Sequence, residues 1–521
     1  MAILPASRRT FLHGAASWAG LAIAGFGPAK IARALPVFLN DPFQLGVASG
    51  DPVADGFVIW TRLAPDPFDP HALPPEAIPV AWEVAADQAM KKIIARGQVF
   101  ARPELGHSVH VDVKGLQPQR EYFYRFHCGP AVSRIGRALT LPTPRAAADH
   151  LRFAFASCAH FQQGYFSAYG DMIAQDPAFI LHLGDYVYES SWGTVVRHHP
   201  APEPTTLEGY RLYHAAYKLD PDLQAAHAYC PWFVTWDDHE FVNDYTRDGA
   251  ETVRDPAAFA VRKRAAYQAY YENMPLRPYA AFNDGRMNLF QRFMFGDLAE
   301  FNITDARQYR DALPCRTPDW HGGRLIDVTM CPDYSDPNRS MLGKQQDFWL
   351  AGGIGRSQAR WNVIAHSLMF ASFDQVGGPA HGIYTDGWGA YPVSRRRILD
   401  GVKQRNVSNV VTLAGDIHTF FVSEVKDDDA NPDSATLMTE FVCTSVTSES
   451  INGPLFQSLM PENPHIKFCD DTKRGYVLCD VTKESWRADL RTVDDVRVRN
   501  SKVGTLKSFV VESGRPGPQA A

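Results

Sequence analysis

Three apolar runs in this chain each end in metal-ligating side chains. Phe179–Leu183 runs into Gly184-Asp185 and then Tyr188, Phe233–Trp236 into Asp237-Asp238-His239-Glu240, and Val410–Ala414 into Gly415-Asp416-Ile417-His418. A short continuous apolar run is the signature of a strand buried on both faces, as in a parallel sheet. Open α/β sheets bind ligands beyond the carboxyl ends of such strands. One Asp after a strand is common. Three ends that deliver Asp185, Tyr188, Asp238, His239, Asp416 and His418 toward one rim predict a multi-metal hydrolytic site on an α/β scaffold.

At 521 residues the chain exceeds one ordinary core, so two domains are expected. A formal net charge of -6 leaves no electrostatic footprint for nucleic acid. Near the N-terminus, Ser7-Arg8-Arg9-Thr10-Phe11-Leu12 precedes a glycine-interrupted apolar stretch from Gly14 to Gly27 and the small-x-small triplet Ala32-Arg33-Ala34. Residues 1–34 are therefore read as a twin-arginine signal peptide. This makes the twin-arginine export machinery a partner and predicts a bacterial protein that is periplasmic or secreted. In such a compartment cysteines pair, and Cys315–Cys331 and Cys469–Cys479 are the expected disulfides. Cys128, Cys230 and Cys443 read as small buried hydrophobes.

Residues 35–144 read as a small all-β, fibronectin- or Ig-like N-terminal sandwich, with short strands at 57–63, 79–85, 108–113 and 121–126. Residues 145–504 alternate strands and helices before turning to runs of strands. The predicted class is α/β (α+β), a sandwich of mixed β-sheets flanked by helices. Residues 505–521, rich in Gly, Pro and Ala, are expected to be a loose tail.

The candidate ligands differ in what they ask of a cation. Cys158 ends the strand before Asp185; it is either a thiolate on a metal or a buried core cysteine. A free phenol ionises near pH ~10, so a Tyr188 phenolate needs a strongly charged partner, and iron(III) is one. Asp185 can bridge two metals. Asp237 and Asp238, adjacent acids, repel unless a cation or hydrogen bonds compensate. His239 suits proton donation to a leaving group. Asp416 and His418, two apart in extended backbone, share a face and suit two cations of different hardness. Asn243 and His366 are further candidates, with turn-capping and core packing as the alternatives. The guanidinium of Arg307 suits phosphate oxygens or, alternatively, an ion pair.

Taken in order, Phe43–Pro52 (FQLGVASGDP), FASC ending at Cys158, LHLGDYVYE, WDDHE, DARQYR around Arg307 and LAGDIH resemble the alkaline phosphatase D (PhoD-type) family, a branch of the calcineurin-like metallophosphoesterases. The resemblance covers nearly the whole chain after residue 34. It implies Fe(III) held by Cys158, Asp185, Tyr188 and His418, with Ca2+ near Asp185, Asp238 and Asp416. The Asp-x-x-Tyr pair is similar to that of purple acid phosphatases. Asp238 stands where the superfamily usually has a neutral Asn, which adds hard oxygen and fits calcium. His366 stands where the family often has Asn or Gln, and would favour another second metal. The implied function is an exported, metal-dependent phosphoesterase cleaving phosphomonoesters, phosphodiesters or both by attack of a metal-bound hydroxide. The alternatives are a phospholipase D-like enzyme on lipid or cell-wall phosphodiesters, and a secreted metal-binding recognition protein.

Overall fold

Two-sided burial of the apolar runs sets the architecture. Strand His150–Ala156 sends Phe153 and Phe155 into one core and Ala154 and Ala156 into another. Strand Val410–Ala414 does the same with Val411 and Leu413 against Val410 and Ala414. The core shared by both strands lies between two stacked sheets. The outer cores lie under helices Ser167–Ala174, Leu207–Lys218, Pro221–Tyr229 and Pro256–Asn273 on one side, and Gly343–Ile354 and Pro392–Gln404 on the other. Helix starts carry the expected caps. Thr206 accepts from Gly209, Asp220 from Asp222 and Leu223, and Asp255 from Ala257 and Ala258. The computed structural model describes residues 38–280, 285–317, 320–450 and 454–521, so the twin-arginine reading of residues 1–34 lies outside the described residues.

Among the described residues the larger sheet has ten strands, with His150–Ala156, Ile180–Leu183 and Trp232–Thr235 parallel at its centre. The second has seven, with a parallel run of Ala299–Ile303, Trp361–Ala365, Val410–Ala414 and Thr436–Val442. The carboxyl ends of the two parallel runs meet, because Ser157 bridges Ser445 and Val446 N–H donates to Ser157 O at 2.9 Å.

The N-terminal region is a sandwich of short strands, as expected, but one of its sheets is not separate. Strand Val47–Val53 pairs in parallel with Trp232–Thr235 through Gly50 and Trp232, and Gly56–Arg62 and Ser108–Lys114 continue the ten-stranded sheet outward. A Cβ at Gly50 would stand 2.4 Å from Pro275 O and 2.9 Å from Trp232 O, so only glycine permits the junction. The other face of this sandwich is built on Ile78–Ala85, Ile93–Ala101 and Glu121–Cys128.

Two expectations are corrected. The tail is not loose: Val503–Glu512 and Arg515–Ala520 form the last two strands of the ten-stranded sheet, and Phe509 and Val511 enter the inter-sheet core. Its glycines and prolines hid the alternation. Cys469 and Cys479 are both unpaired and buried. They lie on strands of different sheets and pack into different cores. Cys315 and Cys331 are bonded.

Candidate metal centre

Glycines bring the strand ends together. A Cβ on Gly184 (φ +108°) would fall 2.5 Å from Asp237 Cβ, and one on Gly415 would fall 2.3 Å from Ser157 Oγ. The first contact sets Asp185 beside Asp237 and Asp238. The second draws the Asp416–His418 turn of one sheet onto the Ser157–Cys158 turn of the other. Beyond these glycines Cys158, Asp185, Asp244, Asp416 and His418 all have φ between 53° and 66°. Non-glycine residues rarely adopt this left-handed conformation, and such strain clusters at functional sites.

Cys158, Asp185 and His418 offer ligand atoms within 4.8 Å of one another. Tyr188 joins them, its hydroxyl 2.7 Å from Asp185 Oδ2 and 2.9 Å from His418 Nε2. His418 Nδ1 lies 2.7 Å from Glu449 O. A carbonyl only accepts, so Nδ1 holds the ring proton and the Nε2 lone pair faces the cluster. Tyr188 then has one proton for two acceptors. Burial, then Asp185, lifts the Cys158 thiol well above its usual range; burial, Asp185 and Cys158 do the same to Tyr188. Burial lowers His418 to about 3. A cation would satisfy all four ligand atoms at once, in place of the protons that burial otherwise retains.

The second half of the site is carboxylate. Asp185, Asp238 and His239 form one close group, Asp237, Asp238 and Asp416 another, and Asp238, Asp244 and Asp386 a third. Shared members make them one continuous cluster with the thiol side. Asp237 Oδ2 is buried without a hydrogen-bond partner, and Asp238 Oδ1 has no hydrogen bond beyond its 3.3 Å ion-pair contact with Arg307. Burial, then Asp386 and Asp238, pushes Asp244 well up, and burial and Asp237 push Asp416 up. Against the burial penalty, Arg307 and His239 hold Asp238 below the usual carboxylate range. Clustered hard oxygens with orphaned lone pairs fit a hard divalent cation.

Arg307 departs from expectation. It is fully buried, and every guanidinium nitrogen meets a carboxylate. Nε contacts Asp237, Nη1 lies 2.7 Å from Asp386 Oδ2, and Nη2 lies 3.2 Å from Asp416 and 3.3 Å from Asp238. Arg310 adds a bond to Asp386 at 2.6 Å. Arg307 is thus an internal counterion here, and no part of its fork is open to phosphate.

His239 stacks on Tyr188, with ring centroids 4.3 Å apart, and places Nδ1 2.7 Å from Glu189 Oε2. Burial disfavours its charged form, but Glu189, Asp238 and Asp185 together raise it well above an ordinary histidine. Asn243 donates its backbone N–H to Glu189 Oε1 at 3.0 Å. His366 stays out of the cluster. Its Nδ1 accepts from Trp388 Nε1 at 3.1 Å and its Nε2 meets Thr412 Oγ1 at 2.9 Å, so both nitrogens are occupied inside the protein.

Sequence reasoning missed three participants. Glu240 accepts backbone N–H bonds from Asp185, Tyr186 and Asp237 and ties two strand ends together. Glu189 orients His239. Both lie inside quoted motifs, and their carboxylates were the available signal. Asp386 follows only the three-residue strand Gly382–Tyr384, and no apolar run announces it.

The family model described as PhoD-like phosphatase matches residues 153–490, and that for the PhoD-like phosphatase N-terminal domain matches residues 30–142. Alkaline phosphatase D of Bacillus subtilis (strain 168) is 42% identical over 526 residues, covering 98% of this chain and 88% of that one. A solved structure described as that of PhoD superposes with a TM-score of 0.88 at 41% identity, covering 93% of each chain.

Proposed function

This chain belongs to the PhoD-like phosphatase family and is a phosphoric ester hydrolase, and we propose that it works with iron(III) and Ca2+. Cys158, Asp185, Tyr188 and His418 would hold the iron, and Asp238 with Asp237, Asp244, Asp386 and Asp416 the calcium. The observation that carries this reading is the convergence of thiol, phenol, carboxylate and imidazole lone pair with one proton too few for the Tyr188 contacts. Thiolate and phenolate suit a highly charged, redox-capable cation; an all-carboxylate pocket suits a hard one. Bound cations supply Lewis acidity, which acidifies water and neutralises the phosphoryl oxygens.

The chain's own residues do the rest. His239, kept protonated by Glu189, donates to the departing alkoxide. Asp185 and Asp238 link the two halves, since each belongs to more than one ligand group. Glu240 fixes the spacing of the strand ends. Arg307 limits the negative charge of the pocket. The Ser7–Leu12 segment and Ala32-Arg33-Ala34 support export by the twin-arginine route, with a periplasmic or secreted phosphoester as substrate.

The test combines colour and turnover. The purified protein is expected to contain iron, to show a visible tyrosinate-to-iron band, and to hydrolyse p-nitrophenyl phosphate or its bis-ester. Tyr188→Phe should remove the band. A colourless, iron-free and fully active protein would refute the iron assignment.

A further inference from the structure

Large apolar side chains gather at one lip of the metal centre. Leu325 is 50% exposed, Tyr384 42% and Trp320 41%. Leu325 and Tyr384 are directly paired across the short antiparallel ribbon Leu325–Asp327/Gly382–Tyr384, so their side chains share a face. Trp320 Nε1 donates to Gly323 O at 3.4 Å. Gly323 ties this lip to the ligands. Its N–H donates to Asp244 Oδ2 at 2.7 Å, and the position of its missing Cβ lies 2.6 Å from Tyr384 Cε1 and 2.7 Å from Asp244 Oδ2. The edge of the Tyr384 ring and the Asp244 carboxylate are therefore immediate neighbours. Tyr384 also stands two residues before Asp386, the other outer acid of the same group.

Among the described residues no aromatic ring stacks on Tyr384, whereas Trp192, on the thiol side, lies flat over His418 with centroids 5.9 Å apart. The nearby cation Arg324 is turned away, its guanidinium bonded to Cys315 O. The Cys315–Cys331 disulfide closes the segment that carries Trp320, Gly323 and Leu325, and so holds the lip in place. Exposed apolar groups clustered at a polar site mark a ligand-binding surface.

We infer that Tyr384, Leu325 and Trp320 form an apolar ledge that receives the organic substituent of the phosphoester and selects aromatic or extended apolar groups over small ones. This rests on the hydrolase reading only in taking phosphate as the group bound between the carboxylates and the thiol side. The phosphoryl group is held by charge, and the ledge discriminates by contact area and ring stacking.

Phenylphosphonate and methylphosphonate carry the same anionic head on a non-hydrolysable C–P bond and differ in the group that would meet the ledge. Calorimetric titration of the metal-loaded full chain should show phenylphosphonate binding about tenfold tighter. Tyr384→Ala and Leu325→Ser should each cut that ratio severalfold, while Tyr384→Phe should keep it and metal content should stay unchanged in all three. A ratio near one in the unmodified protein, or one that neither substitution moves, would overturn the ledge. Preference for phenylphosphonate in a protein that hydrolyses no phosphoester would sink the hydrolase reading and leave the ledge standing; turnover without the preference would do the reverse.

Discussion

Replacing Arg307 with methionine keeps the volume of the side chain and removes its charge. Asp237, Asp238, Asp244, Asp386 and Asp416 form the connected acidic pocket, and Arg307 and Arg310 are the guanidiniums bonded within it. Were all ionised, three negative charges would remain uncompensated; without Arg307 there would be four. Removing one partner from a buried ion pair costs about 3–5 kcal/mol because the abandoned charge cannot reach water. Arg307 touches four carboxylates and is fully buried, so the upper part of that range is expected for metal-free protein. Bound divalent cations would supply the missing positive charge, so in metal-loaded protein the loss should shrink to about 1–2 kcal/mol, the scale of a lost charged hydrogen bond. Denaturant melts of both proteins, after chelation and after metal loading, give the four free energies needed. Arg307→Lys, which keeps charge without the fork, should fall between. An equal loss with and without metal, or none after chelation, would refute the view of Arg307 as a stand-in counterion.

Two further outcomes follow from groups outside the centre. Glu440 is buried, and burial raises it from 4.5 to about 7 despite N–H bonds from Phe370 and Ala371. A raised carboxyl favours the protonated fold, so its contribution is complete below pH 4.5 and is lost as pH climbs to about 7. Glu440→Gln should flatten the pH dependence of unfolding free energy across that window, and an unchanged slope would count against the shift. Deleting residues 503–521 removes two strands together with Phe509 and Val511 from the inter-sheet core. The shortened chain should lose more than about 3 kcal/mol, read as a lower urea midpoint and poorer soluble yield; an unaffected midpoint would restore the loose-tail view.

Much of the site was legible because its parts end strands. Asp185, Asp238, Asp416 and His418 each follow an apolar run that has only one reasonable placement, and parallel topology then sends the ends to one side. Cys158 and Tyr188 were readable by distance from those ends. What failed has a common physical cause: pair contacts across sheets leave no trace in local pattern. Arg307 follows a strand where a phosphate clamp would, yet its four carboxylate partners come from three other segments. His366 ends strand Trp361–Ala365 as a ligand would, but Trp388 and Thr412 claim its nitrogens. Cys469 and Cys479 flank a turn and looked pairable, although their strands belong to different sheets. The tail carries a weak strand signal and needed the neighbouring edge of Ser485–Val493 to show itself.

The register of the large sheet also bears on how the protein is made. His150–Ala156 is among the first catalytic strands synthesised, yet one of its two flanking partners is Arg474–Thr482, and the His150–Asp480 contact joins residues 330 apart. A growing polypeptide must keep that hydrogen-bonding edge uncovered through most of translation. Long-range closure of this kind is slow, and unpaired edges invite aggregation. Yield during expression should therefore respond to holdase chaperones and lower temperature, and ribosome-stalled fragments lacking residues 474–521 should be the species that precipitate.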